Sequence, residues 1–207
     1  MSHALPADPS MTDPAILTVG HSTHPLEDFL TLLVDAGAAA VVDVRRLPGS
    51  TRYPWFDEDA LAMSLRAAGM GYSRIEELTG RRPRQHDVPD DVNALWRNRS
   101  FHNYADHALG DEFAAGLDEL IELADARHPP AVMCSEAVWW RCHRRIIADH
   151  LLARGIAVAH LMPDGRVVPA ALTAGALADG VRVEYPAADA TSPGSASSRP
   201  PRSAGPR

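Results

Sequence analysis

The stretch Ala131-Val132-Met133-Cys134-Ser135-Glu136, followed by Trp139-Trp140-Arg141-Cys142-His143-Arg144-Arg145, decides how this chain is read. The apolar run predicts a buried strand that ends on Cys134. A short polar loop then leads into a helix expected over Arg141 to Ala153, with Gly155 as its stop. In a parallel α/β sheet, ligands bind at the carboxyl ends of the strands. Between positions 134 and 145 the chain places two thiols, a carboxylate, an imidazole and several guanidiniums. Packing alone does not call for that mixture.

Outward from this stretch, the same strand-then-helix rhythm recurs. Ile16 to Val19 reads as a strand ending at Gly20-His21-Ser22-Thr23, and Leu26, Phe29, Leu30, Leu33 and Val34 follow at helical spacing. Ala39 to Val44 reads as a strand ending in Asp43-Val44-Arg45. Asp57 stands before a helix carrying Leu61, Leu65 and Ala68. Gly71 to Ile75 reads as a short strand. Phe113, Leu117, Leu120, Ile121 and Ala124 mark another helix, and Ile156 to Leu161 another strand. Short continuous apolar strands alternating with helices predict an α/β fold: a mostly parallel sheet with helices on both faces, a Rossmann-like or rhodanese-like three-layer sandwich. Residues 1–14 are expected to be a flexible N-terminus, 15–185 a single α/β domain, and 186–207 a disordered Ser/Pro/Arg-rich tail. The polar and aromatic segment 83–107, with Trp96, Phe101 and Tyr104, breaks the rhythm and reads as an insertion or lid.

Composition narrows the chemistry. All 20 Lys/Arg positions are arginine, so neither lysine Schiff-base chemistry nor a P-loop lysine is available. A formal charge of −7 disfavours broad nucleic-acid binding. Nucleic acid therefore stays an unfavoured partner beside a small anionic ligand, and arginine forks suit phosphate or carboxylate. No apolar run reaches the ~20 residues that cross a bilayer, and no secretory signal is visible at the N-terminus. Two cysteines are too few for a disulfide framework, which fits a cytoplasmic setting. The oligomeric state is not legible, and no cofactor is implied.

Three strand ends converge on one edge if the sheet is parallel: Gly20-His21-Ser22, Asp43 with Arg45, and Cys134-Ser135-Glu136. A helix N-terminus behind Cys134 would favour its thiolate. Read alone, Cys134 is a small residue finishing a strand; its charged neighbours give the reactive reading equal weight. Glu136 is a general acid/base or the holder of Arg144. His143 and His21 are structural singly, and an acid–base pair together with a thiol. Cys142 is a resolving thiol or half of a metal site. Asp43 and Arg45 form a fixed pair or bind ligand, and one of Trp139 and Trp140 is expected to pack.

At these motifs the chain resembles the family catalogued as domain of unknown function 488. The resemblance rests on Thr18-Val19-Gly20-His21-Ser22-Thr23 and Val42-Asp43-Val44-Arg45. It continues through Tyr72, Glu77-Leu78-Thr79-Gly80-Arg81-Arg82, Trp96-Arg97-Asn98, Phe101 and Tyr104-Ala105-Asp106, to Met133-Cys134-Ser135-Glu136 and Cys142-His143-Arg144. Thr79 stands where the family pattern usually has glycine. Membership implies an α/β domain and no established reaction. A second likeness, at the level of fold, is to rhodanese-type domains, through Asp43-Val44-Arg45, Cys134, Leu151 to Gly155 and Ala157 to Leu161. It implies sulfur carried on a cysteine. Phosphatase chemistry needs Cys-x5-Arg, but position 140 is Trp140 and Arg141 comes one place late.

The favoured reading is a cysteine-dependent transferase or hydrolase. Cys134 would be the nucleophile or sulfur carrier, with Glu136, His143 and His21 as catalytic partners. Arg45, Arg82 and Arg144 would hold a small anionic substrate, nucleotide-like or sulfur-carrying. Gly20, Ser22, Asp43, Tyr72, Trp96, Tyr104, Ser135 and Cys142 complete the expected pocket. One alternative is a non-catalytic nucleotide or nucleic-acid binding module, with Trp96, Phe101 and Tyr104 stacking on a base. The other is a metal-binding protein using His21, Cys134, Cys142 and His143.

Overall fold

Strand β1 (Ile16–Gly20) is buried along its whole length, as a run of apolar and β-branched residues in a parallel sheet requires. The computed structural model describes residues 14–49, 51–125 and 127–187. Helix α1 (Leu26–Asp35) follows, with Pro25 at its N-cap position and Glu27 and Asp28 in its first turn, where the helix dipole favours acids. Then come β2 (Ala40–Asp43), α2 (Glu58–Ala67) and β3 (Gly71–Arg74). Helices α3 (Arg99–His107) and α4 (Asp111–Glu122) lead to β4 (Pro130–Cys134). Helix α5 (Arg144–Ala153) and β5 (Val158–Leu161) complete the alternating part. The short strands β6 (Val167–Pro169), β7 (Leu177–Asp179) and β8 (Arg182–Glu184) end it.

The main sheet has the order β3-β2-β4-β1-β5-β6. All its pairings are parallel except β5 with β6. The chain therefore forms the expected three-layer α/β sandwich. Connections β1 to β2 and β2 to β3 run one way along the sheet; β3 to β4 and β4 to β5 run the other way. Right-handed crossovers then place the two sets of helices on opposite faces. The core divides accordingly. Phe29, Leu33, Leu61 and Leu65 of α1 and α2 pack against Leu17, Val19, Val41 and Met133. Residues from α3, α4 and α5, among them Tyr104, Leu117, Ile146 and Leu151, pack against Ile16, Val42 and Val132. The strands β1 and β4 lie side by side in the centre, and their crossovers leave in opposite directions. That is a topological switch point, where the carboxyl edge of such a sheet opens.

The structure adjusts three expectations. Helix α5 begins at Arg144, because Trp139–Arg141 form a 3-10 turn and Cys142 is extended (φ −128°, ψ 148°). Cys142 thus sits before the helix rather than inside its first turn. Segment 83–107 contains a helix, α3, which Asn98 caps by accepting from the Ser100 amide at 2.9 Å. Its buried face carries polar groups that pair with distant partners: Asp106 accepts from Asn93 at 2.8 Å, and the His107 ring meets the Glu77 carbonyl at 2.8 Å. Strands β6, β7 and β8 are too short to show a period in the sequence. The β7–β8 hairpin brings in Tyr185, which accepts no solvent and donates from its hydroxyl to Asp149 at 2.9 Å. The expected flexible N-terminus and tail fall, apart from residues 14, 186 and 187, outside the described residues. No helix of the described residues is long and apolar enough to cross a membrane.

Candidate functional site: a cysteine pair beneath an arginine rim

Strand β1 ends on Gly20 because nothing larger fits. A Cβ there would collide with the carbonyl of Glu136 and lie 2.7 Å from that of Ala137. The close approach lets the His21 amide donate to the Cys134 carbonyl at 3.0 Å and the Ser22 amide to that of Ser135 at 3.1 Å. Ser22 takes a left-handed conformation (φ 48°) to do so. The ladder between β1 and β4 is thereby extended into the loop that carries Cys134.

The end of β2 supplies a buried ion pair. Arg45 donates from Nε and Nη2 to the Asp43 carboxylate at 2.6 to 3.0 Å. Its Nη1 donates to the Phe56 carbonyl at 2.7 Å. The Tyr72 hydroxyl donates to Asp43 Oδ2 at 2.9 Å, and this contact together with burial raises the phenol above its ordinary range. His21 stacks on Phe56, with ring centroids 4.1 Å apart. Its Nδ1 donates to the Ser22 carbonyl, which leaves Nε2 as the atom facing Arg45 Nη1 at 3.4 Å. Burial first, and then the Arg45 charge, lower His21 to about 4, so the ring is neutral at pH 7. His21, Asp43, Arg45 and Tyr72 are therefore a braced unit, in which Arg45 has its charge already matched.

At the end of β4 the two cysteines meet. Cys134 Sγ, Cys142 Sγ and a ring nitrogen of His143 lie within 4.8 Å of one another. Cys142 Sγ is 3.6 Å from His143 Nδ1 and accepts from Arg144 Nε at 3.3 Å. Both thiols are buried. The neighbouring Cys142 sulfur, with burial, pushes Cys134 up to about 12. Burial would raise Cys142 too. The adjacent Cys134 thiol, the Arg144 charge and the Arg144 amide overcome it and bring Cys142 down to about 6. The directions are therefore opposite, up for Cys134 and down for Cys142, whereas the sequence expectation of a lowered thiol was placed on Cys134. The first turn of α5 holds no acid and begins with Arg144 and Arg145. Such a start is unfavourable to the helix dipole, and Arg144 turns its Nε to the Cys142 sulfur at 3.3 Å.

Above the pair opens a pocket of about 280 Å³, close to the size of small-ligand sites. Cys134, Ser135, Glu136, Cys142 and His143 line it, together with Arg45, Gly80, Phe101 and Tyr104. So do Arg46, Arg81 and Arg141, three exposed arginines with no ion pair among the described residues. Arg81 lies in the arginine cluster 81–84 that the sequence offered for an anion, and Arg141 in the stretch after Cys134, but neither was among the expected ligand-binding residues. Arg46 was missed, its signal being its place next to Arg45. Arg81 sits in a left-handed conformation (φ 57°), a strain that clusters at functional sites. Gly80 leaves room for His143, since a Cβ there would lie 2.8 Å from His143 Nδ1.

Other expected residues lie elsewhere. Arg82 is spent on the loop: it donates to the Thr79 carbonyl at 2.9 Å, to the Glu76 carbonyl, and to Glu112 at 2.7 Å. Arg144 is 1% exposed and lies beneath the pocket. It is held by the main-chain carbonyl of Glu136, not by the carboxylate, which is left facing outward. Trp96 is packed among Phe101, Tyr185 and Arg145, with ring centroids near 5 Å, and does not line the pocket. Tyr104 forms part of the pocket floor, its hydroxyl donating to the Leu78 carbonyl at 2.7 Å. Trp139 stacks on His160 at 4.3 Å, while Trp140 is exposed.

The donor set of two sulfurs and an imidazole nitrogen is one that zinc accepts. His21 stands outside that set, committed to Ser22, Arg45 and Phe56. The Arg144 guanidinium on the Cys142 sulfur, and three further guanidiniums at the rim, place positive charge around the cluster. Glu136 is the acidic residue among those lining the pocket.

Comparison with curated proteins returned no match, and comparison with solved structures returned none either. A family model does match, over residues 25–151, and so spans α1 through most of α5 with both cysteines. With more than half its length covered, the chain belongs to the family described as domain of unknown function DUF488.

Proposed function

We propose that the protein is a cysteine-dependent enzyme of the cytoplasm that acts on a small anionic substrate. The observation that carries this reading is the Cys142 sulfur, held by Arg144 Nε at 3.3 Å, at the wall of a pocket that Arg46, Arg81 and Arg141 also line with no ion pair among the described residues. Arg46, Arg81 and Arg141 draw the anion in and orient it. Cys142 attacks; Cys134 keeps its own proton and stabilises the resting thiolate. His143, 3.6 Å from the Cys142 sulfur, is placed to move a proton. The nucleophile is thus assigned to Cys142 rather than Cys134. Arg144 serves the sulfur and Arg82 the loop, so neither is assigned to the substrate. A reducing cytoplasm keeps both thiols available.

Alkylation kinetics test this. Peptide mass after iodoacetamide should show Cys142 modified first, with half-maximal rate near pH 6. Anionic iodoacetate should gain on neutral iodoacetamide, and replacing Arg46, Arg81 and Arg141 by Gln should cut that gain roughly tenfold at low salt. A Cys142 that reacts with the ordinary pKa of ~8.5, or a ratio that the three substitutions leave unchanged, would remove the reading.

A further inference from the structure

We propose that Cys134 and Cys142 are a dithiol–disulfide pair that exchanges with small disulfides bearing carboxylate groups. This rests on the reading of the pocket above and names its reaction. The two sulfurs lie within 4.8 Å of one another at the floor of an open pocket. Reaching the ~2.05 Å of a bond requires the two side chains to close that separation. A lone nucleophile would need no second thiol at this place. Here the second thiol lies within 4.8 Å of the first, and both border the same opening.

The two sulfurs differ as an exchange reaction needs. Arg144 holds Cys142 as the attacking sulfur, while Cys134 retains its proton. In the first step the Cys142 thiolate attacks one sulfur of the substrate disulfide. The substrate S–S bond breaks, a mixed disulfide forms on Cys142, and the first substrate thiolate leaves and takes a proton from water. In the second step Cys134 gives its proton to His143 and attacks Cys142 Sγ. The mixed disulfide breaks, and the second substrate thiolate leaves and receives that proton. Starting from the Cys142 thiolate, the protein has lost two electrons and the Cys134 proton; the substrate disulfide has gained two electrons and two protons, one from water and one from Cys134, and has become two thiols. His143 suits the transfer, because its Nε2 is buried without a hydrogen-bond partner among the described residues. Carboxylates on the substrate are called for by Arg46, Arg81 and Arg141, which have no ion pair among the described residues.

The test uses the full reduced chain and oxidised glutathione, a disulfide that carries carboxylates, with bis(hydroxyethyl) disulfide as the neutral control. Intact mass should fall by two hydrogens, and a peptide map should show Cys134 joined to Cys142. Cys134→Ser should instead stop at a glutathione adduct on Cys142. The neutral disulfide should react roughly tenfold more slowly at low salt. A lasting glutathione adduct on the wild-type chain, with no linked peptide, would overturn the pair. Equal rates for the two disulfides would overturn the anionic substrate. If Cys134→Ser does not fold, the wild-type map decides alone. Failure to oxidise while iodoacetate still modifies Cys142 rapidly would sink this inference and leave the proposed function standing; slow alkylation as well would end both.

Discussion

Arg144 Nε donates a hydrogen bond to Cys142 Sγ across 3.3 Å, and its Nη2 donates to the Glu136 carbonyl. One guanidinium, almost wholly buried, thereby ties the end of β4 to the start of α5 and sets the charge of a sulfur. Lysine would not do this, because its single ammonium lacks a planar fork that meets two acceptors at once. The same residue explains why an arginine opens a helix whose dipole disfavours it.

Arg144→Lys should therefore raise Cys142 from about 6 toward the ordinary thiol value. A rise of two units would lower the thiolate fraction at pH 7 by about tenfold. Alkylation rate against pH, read on the Cys142 peptide, checks this; an unmoved curve would reduce Arg144 to packing. The sign for stability follows. A thiol whose folded value is depressed contributes stability above its unfolded value, and loses it as pH falls through about 6. The wild-type chain should lose that contribution on mild acidification, and Arg144→Lys should have less of it to lose.

Asp43 and Tyr72 separate an ion pair from a hydrogen bond. Asp43→Asn leaves the buried Arg45 charge without its carboxylate and should cost about 3 kcal/mol or more. Tyr72→Phe removes one bond to Asp43 Oδ2 and should cost about 1 kcal/mol. Urea denaturation of both variants measures the difference. Equal costs would mean that the pair does not brace the end of β2.

Three histidines should make the fold sensitive to acid. Burial lowers His21 and His160 to about 4 and His150 to about 3, from 6.5. The unfolded chain then binds more protons than the folded one below pH 6.5, so stability falls as pH drops from 6.5 toward 4. Each group steepens that fall by up to about 1.4 kcal/mol per pH unit. His150→Leu should flatten the acid limb by one group's share in unfolding measured from pH 7 to pH 4. An acid limb as steep as the wild type would place the sensitivity elsewhere.

Much of the architecture was legible because its physics is local. Ile16–Gly20 and Ala131–Cys134 are apolar runs of strand length, and Phe29, Leu33, Leu61, Leu65, Leu117 and Leu120 repeat at helical spacing. Helix α3 was hidden because its inward face holds Tyr104, Asp106 and His107, polar groups whose partners Leu78, Asn93 and Glu77 are remote in sequence. The convergence of Gly20, Asp43 and Cys134 on one edge followed from a parallel sheet alone.

The sequence by itself determined the strand–helix order, the three strand ends that meet, and the crowding of thiols and guanidiniums after β4. Those properties depend on periodicity and on the geometry of parallel strands. Only the tertiary structure decided which thiol has its ionised form favoured and which arginines have no ion pair among the described residues. A thiol's ionisation depends on burial and on charges within a few ångströms, and an arginine's availability depends on whether a carboxylate already occupies it. Arg45, Arg82 and Arg144 look alike in the sequence to Arg46, Arg81 and Arg141. Folding gives the first three their partners and leaves the others at the mouth of the pocket.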